Sequence, residues 1–145
     1  MPHLVILYSG NLDRDLDMAA VCRGLADAML SVRDDEGKSV FPLGGTRVLA
    51  YPAPYFAVSD GGQAGCAAGE SGDYGFMYLN LRMARGRSEA VQRRVGQAVS
   101  EAARDLLGPL KQTRRVGLTF QVDVGAEVYD AKFGNLHDLF QKEVR

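Results

Sequence analysis

The chain has 145 residues, 46% of them hydrophobic, enough for a single domain with a substantial core. Its 17 basic and 18 acidic residues leave a net charge of −1, which argues against a nucleic-acid footprint or a polybasic membrane patch. No apolar run approaches the ~20 residues of a membrane span. Cys22 and Cys66 are the only cysteines, and His3 and His137 the only histidines. Neither pair has the spacing of a metal site or a redox motif, so neither a metal nor a disulfide is expected. The N-terminus lacks a basic region followed by an apolar stretch and a small-residue cleavage site, which makes the cytoplasm the expected location.

Pro2 to Tyr8 reads as a buried strand. A small residue after Met1 favours removal of the methionine, which would leave Pro2 with a free secondary amine. Such a group titrates near pH ~8 when unperturbed, and desolvation with nearby guanidinium groups would lower it towards the value best suited to proton transfer at neutral pH. While Met1 stays attached, the same nitrogen is an amide and has no basicity. Proline is also well tolerated at the first position of a strand, so the residue by itself does not decide between the two roles.

Next comes a helix continuing to about Val32, with Asp13 or Asp15 as its cap and Met18, Cys22, Leu25, Met29 and Val32 on one face. A polar stretch ends it before the turn Phe41-Pro42-Leu43-Gly44-Gly45. Thr46 to Tyr51 is a second strand, which Pro52 and Pro54 break. Ser59 to Gly72 is glycine-rich and reads as a long mobile loop, of functional or disordered character. Tyr74 to Met83 alternates, with Met77, Leu79, Leu81 and Met83 on one face and Tyr74, Phe76 and Tyr78 on the other. Ser88 caps a second long helix whose stripe is Val91, Val95, Ala98, Ala102 and Leu106. The stretch from Val116 to Val124 gives the cleanest strand alternation. A tail, Asn135 to Gln141, forms a short helix or arm anchored by Leu136, Leu139 and Phe140.

The order is strand, helix, strand, repeated. Gly24 and Gly96 fall in corresponding helices at the spacing that also sets Pro2 against Tyr74. Two βαβ units, about 2–58 and 74–124, with an arm over 125–145, therefore make one α+β domain: a mixed sheet with both helices on one face. The uncovered face carries large apolar groups, which predicts an oligomer.

Pro2-His3, the segment Phe41 to Arg47, Asp73-Tyr74-Gly75-Phe76, Gly86-Arg87-Ser88 and Asn135-Leu136-His137-Asp138-Leu139-Phe140 recur in one order over most of the chain. Together they resemble the 5-carboxymethyl-2-hydroxymuconate isomerase family of the tautomerase superfamily. That resemblance implies a two-layer tautomerase-like fold, a homotrimer, no cofactor, and isomerisation of an unsaturated polycarboxylate dienol in aromatic-acid (homoprotocatechuate or 4-hydroxyphenylacetate) catabolism. It also implies a catalytic amino-terminal proline assisted by two arginines, which fall on Pro2, Arg47 and Arg87. From the residues alone, Arg82 and Arg85 compete with Arg87, and most of the cluster that includes Arg93 and Arg94 reads as a solvated face.

Topology supports a common location. A right-handed crossover makes the first two strands parallel, which puts Arg47 at the same end of the sheet as Pro2. Antiparallel pairing of the first and third strands brings Arg87 to the same end. Neutral Pro2 nitrogen would take an enol proton and return it to carbon, while the arginines bind carboxylates. Arg87 also precedes a helix N-terminus. His3 reads as a strand side chain, and Tyr51, Tyr55 and Phe56 as core or interface. Gly44-Gly45 lacks the pattern of a phosphate loop. The segments Asp34 to Ser39 and Gly61 to Gly72 look longer than such an isomerase needs, so reaction class is more firmly indicated than substrate. The alternatives are a phenylpyruvate-type tautomerase, a hydratase or dehalogenase of unsaturated acids, or a non-catalytic oligomeric metabolite-binding module.

Overall fold

A computed structural model describes residues 1–141; residues 142–145 of the expected arm lie outside the described residues. The elements are β1 (His3–Ser9), α1 (Met18–Ser31), β2 (Arg47–Ala53), a short α2 (Gln63–Ala67), β3 (Gly75–Ala84), α3 (Glu89–Leu107) and β4 (Val116–Gly125). They form the expected α+β arrangement, a four-stranded sheet in the order β2-β1-β3-β4. β1 pairs parallel with β2 and antiparallel with β3, and β3 pairs parallel with β4. Each half is thus a βαβ unit, and the antiparallel β1–β3 seam joins them.

Alternation along the strands decides which face is covered. Leu4, Ile6, Tyr8, Met77, Leu79, Leu81 and Met83 are buried together with Val21, Leu25 and Met29 of α1 and Val95, Val99 and Leu107 of α3. The opposite sheet face leaves Leu7, Leu49, Tyr51 and Phe76 exposed. Where the helices meet, Gly24 allows the close approach: a Cβ there would lie 2.9 Å from Leu106 Cδ1. Gly96, its counterpart in sequence, has only Val122 nearby, at 3.9 Å from such a Cβ, so the two glycines do different work. The buried line of α3 is Val91, Val95, Val99, Ala103 and Leu107. Ala98, Ala102 and Leu106, expected in that line, are only partly buried on its flank.

Several local expectations are corrected. The cap of α1 is Asp17, whose carboxylate accepts from the Ala20 N–H at 3.1 Å. Asp13 and Asp15 are engaged elsewhere: Tyr8 donates its hydroxyl to Asp13 at 2.5 Å, and Arg114 pairs with Asp15 at 2.5 Å. β2 does not break at Pro52 but continues through it, opposite Tyr8. An edge strand tolerates the missing N–H that an interior strand would not.

The Ser59–Gly72 stretch is folded around α2. Asp60 accepts from the N–H groups of Gly62 and Ala64, Tyr74 Oη accepts from Gly65 N–H, and Arg115 pairs with Glu70. The tail turns once over His137–Leu139; Leu136 and Leu139 are exposed (46% and 70%), and of the three expected anchors it is Phe140 that packs on the chain, against Gly44. No helix among the described residues is long and apolar enough to cross a membrane.

Candidate active site

Pro2 immediately precedes β1 and is buried. Its carbonyl accepts the backbone N–H of Arg47 at 3.3 Å, and the strand register places Arg47 beside His3. The parallel crossover therefore brings these two ends together as the topology requires. Met1 precedes Pro2 in the structure, so the proline nitrogen is there a peptide nitrogen.

The link between α1 and β2 builds the wall of this corner. Pro42 carbonyl accepts from Gly45 N–H and from Thr46 Oγ1, both at 3.0 Å, closing a single 3₁₀ turn over Leu43–Gly45. Arg47 Nη1 reaches back to the Gly44 carbonyl at 3.1 Å. The tail then lies on this turn. A Cβ on Gly44 would stand 2.8 Å from Phe140 Cδ2 and 2.9 Å from His137 Nδ1, so only glycine admits both rings.

Arg87 follows β3 through Gly86, whose φ of +113° suits glycine. Its guanidinium donates to Ala84 carbonyl at 3.3 Å and to Val40 carbonyl at 3.1 Å, and lies over the Phe41 ring with 5.1 Å to the centroid. Arg87 thus stands at the Pro2 end of the sheet, tied to the segment leading into the Gly44 turn; its hydrogen bonds among the described residues go to these carbonyls and not to Pro2. Burial pushes its pKa down from the ordinary value, yet an arginine stays protonated.

Arg14, Arg23, Arg94, Arg114 and Arg115 pair with carboxylates, whereas among the described residues neither Arg47 nor Arg87 does. Both are half-buried and spend hydrogen bonds on backbone carbonyls instead. Of the competing arginines, Arg82 sits opposite His3 and is exposed, as is Arg85. His3 has its pKa lowered, by burial first and then by the Met1 amino group and Arg47, so cations disfavour a further charge here.

A cleft of about 510 Å³ opens between α1 and β2, lined by Arg47, Thr46, Leu43, Cys22, Arg23 and Phe140 among others. Pro2 does not border it; Met1 Sδ, 3.4 Å from His137 Nε2, covers the proline end instead. The sequence reading singled out the closing motif but not His137 as a member of this corner. Its one signal was that the chain carries only two histidines.

Comparison with known proteins follows the same outline. A family model described as 5-carboxymethyl-2-hydroxymuconate isomerase matches residues 2–140. The 5-carboxymethyl-2-hydroxymuconate Delta-isomerase of Escherichia coli is 21% identical over 141 residues, spanning 97% of this chain and 100% of its own. A crystal structure of a 5-carboxymethyl-2-hydroxymuconate delta-isomerase superposes with a TM-score of 0.95 at 82% identity, covering 97% of this chain and 93% of that one. Another, of a 5-carboxymethyl-2-hydroxymuconate isomerase from Deinococcus radiodurans R1, gives a TM-score of 0.76 at 25% identity, with 97% and 94% covered.

Proposed function

The chain belongs to the 5-carboxymethyl-2-hydroxymuconate isomerase family of the tautomerase superfamily, and from that premise we propose that Pro2, Arg47 and Arg87 carry its reaction. The activity is that of an isomerase that moves C=C bonds in a 5-carboxymethyl-2-hydroxymuconate substrate in aromatic-acid catabolism. Once Met1 is removed, neutral Pro2 nitrogen accepts the enol hydroxyl proton. The O–H electron pair closes the C2 carbonyl, the conjugated double bonds shift, and the distal carbon takes the proton back from the prolinium. Atoms and electrons balance within substrate and amine, so no further reactant is consumed. Arg47 and Arg87 bind carboxylates and stabilise the dienolate charge, the kind of preorganised contribution worth ~3 kcal/mol per donor.

The observation that carries this reading is the pair of half-buried guanidiniums without carboxylate partners among the described residues, set at the sheet end where the chain begins. Pro2 is aligned by the same strand pairing that fixes Arg47. The test is turnover of the dienol by N-terminally processed protein, with intact mass reporting loss of Met1. Pro2→Ala, which keeps a primary amine, lowers kcat with modest effect on KM; unchanged kinetics contradicts the assignment.

We also propose that the open sheet face is covered by two further copies in a homotrimer. Leu7, Leu49, Tyr51 and Phe76, all exposed on that face, form the kind of apolar surface that a soluble monomer seldom leaves uncovered. Sedimentation equilibrium decides it: a trimer mass is expected, and a monomer at micromolar concentration contradicts it.

A further inference from the structure

After β4 the chain runs exposed through Val128, Tyr129 and Phe133 before it returns to the Pro2 end of the sheet. Its last turn is closed by Phe140 N–H donating to the His137 carbonyl at 3.0 Å. In this turn the leucines point outward, while His137 and Phe140 are half-buried against Gly44. Within one chain, the turn's close contacts with the sheet end are those of an imidazole and a phenyl ring.

The imidazole has a definite outlook. Nδ1 faces Gly44, and Nε2 faces Met1 Sδ at 3.4 Å. Met1 Cγ lies 3.6 Å from where a Cβ on Gly45 would stand, so Gly45 forms the floor beneath the methionine side chain. Met1 is bonded to the Pro2 nitrogen. When it leaves, the volume it held lies between that nitrogen and His137 Nε2, above Gly45. Arg47 holds the same turn from beneath through the Gly44 carbonyl.

We propose that His137 binds substrate: its Nε2–H donates a hydrogen bond to a carboxylate oxygen of the dienol lying in the space that Met1 vacates, and the Asn135–Phe140 tail is the strap that holds it there. This deepens the assignment above and rests on it. The polar wall facing the proline amine then comes from the end of the chain as well as from its arginines. Phe140 supplies an apolar wall to the neighbouring α1–β2 cleft, next to Arg47.

The experiment uses the processed enzyme with 5-carboxymethyl-2-hydroxymuconate and compares wild type, His137→Leu, His137→Gln and Pro2→Ala, each with its thermal midpoint. His137→Leu raises KM about tenfold with kcat changed by no more than about twofold, as loss of a hydrogen bond to a charged group requires. His137→Gln, whose amide keeps an N–H donor, brings KM back to within about threefold of wild type. The proposal is overturned if KM in His137→Leu equals wild type. It is equally overturned if both His137 variants lose kcat and thermal stability together, because the ring would then serve only tail packing. Wild-type kinetics in Pro2→Ala removes the proline assignment and this inference with it, whereas an impaired Pro2→Ala beside an unaffected His137→Leu removes this inference alone.

Discussion

The backbone N–H of Arg47 donates to the carbonyl of Pro2 at 3.3 Å. This single ladder bond couples the position of Arg47, the cation proposed for the site, to that of Pro2. It exists because β1 and β2 run parallel through a helical crossover, so both strands start at one end of the sheet. A guanidinium beside that start favours the neutral form of an amine there.

Arg47 and Arg87 are expected to respond differently to truncation. Arg47→Ala loses one hydrogen bond to the Gly44 carbonyl, so its main effect is a raised KM with a stability loss of about 1 kcal/mol or less. Arg87→Ala strips the Val40 and Ala84 carbonyls of a donor and uncovers the Phe41 ring. It raises KM and also destabilises by ~1–3 kcal/mol. Urea titration beside steady-state kinetics separates the two; equal stability in both variants contradicts the bracing role of Arg87.

Asp73 makes stability depend on acid. Hydrogen bonds from Asn11 first, and then from Arg114, hold its carboxyl below the ordinary value. A depressed native pKa gives stabilisation that is complete above the unfolded value and is lost as pH falls through the native one. The urea midpoint of wild type is therefore expected to fall as pH drops below about 4. Asp73→Asn shows a shallower fall over that window, and parallel curves contradict the assignment.

Asp73 also shows how far the sequence could be read. It belongs to a motif carrying the family resemblance, yet it sits at the sheet end away from Pro2, bonded to Asn11, Arg14 and Arg114. A motif marks what a family keeps without saying whether it serves chemistry or the fold. Strand alternation and the parallel crossover were legible because they follow from local periodicity and chain geometry, and these placed Arg47 correctly. The cap at Asp17 was not: Asp13, Asp15 and Asp17 share one chemistry, and the first two are withdrawn by the Tyr8 hydroxyl at the end of β1 and by Arg114, far along the chain. His137 was hidden for the same reason. Its place is set by the shape of the Gly44 turn, far away in the chain and without periodic signature.

Gly44 should tolerate no side chain. In Gly44→Ala the new Cβ would lie within 2.9 Å of both Phe140 and His137, so the tail is expected to lift while the sheet stays intact. Hydrogen exchange reports this as faster exchange at the Leu139 and Phe140 amides, which close the last turn, with the β1 and β3 amides unchanged. Unaltered protection of the tail contradicts the packing.

Comparing chains that begin at Pro2 with chains that retain Met1, each identified by intact mass and assayed on the same dienol, tests the central claim most directly. General acid–base catalysis by a positioned amine contributes ~10²- to 10⁴-fold, so the processed chain is expected to turn over at least about a hundredfold faster than the blocked one. Equal turnover by chains whose Pro2 nitrogen is still an amide contradicts the account.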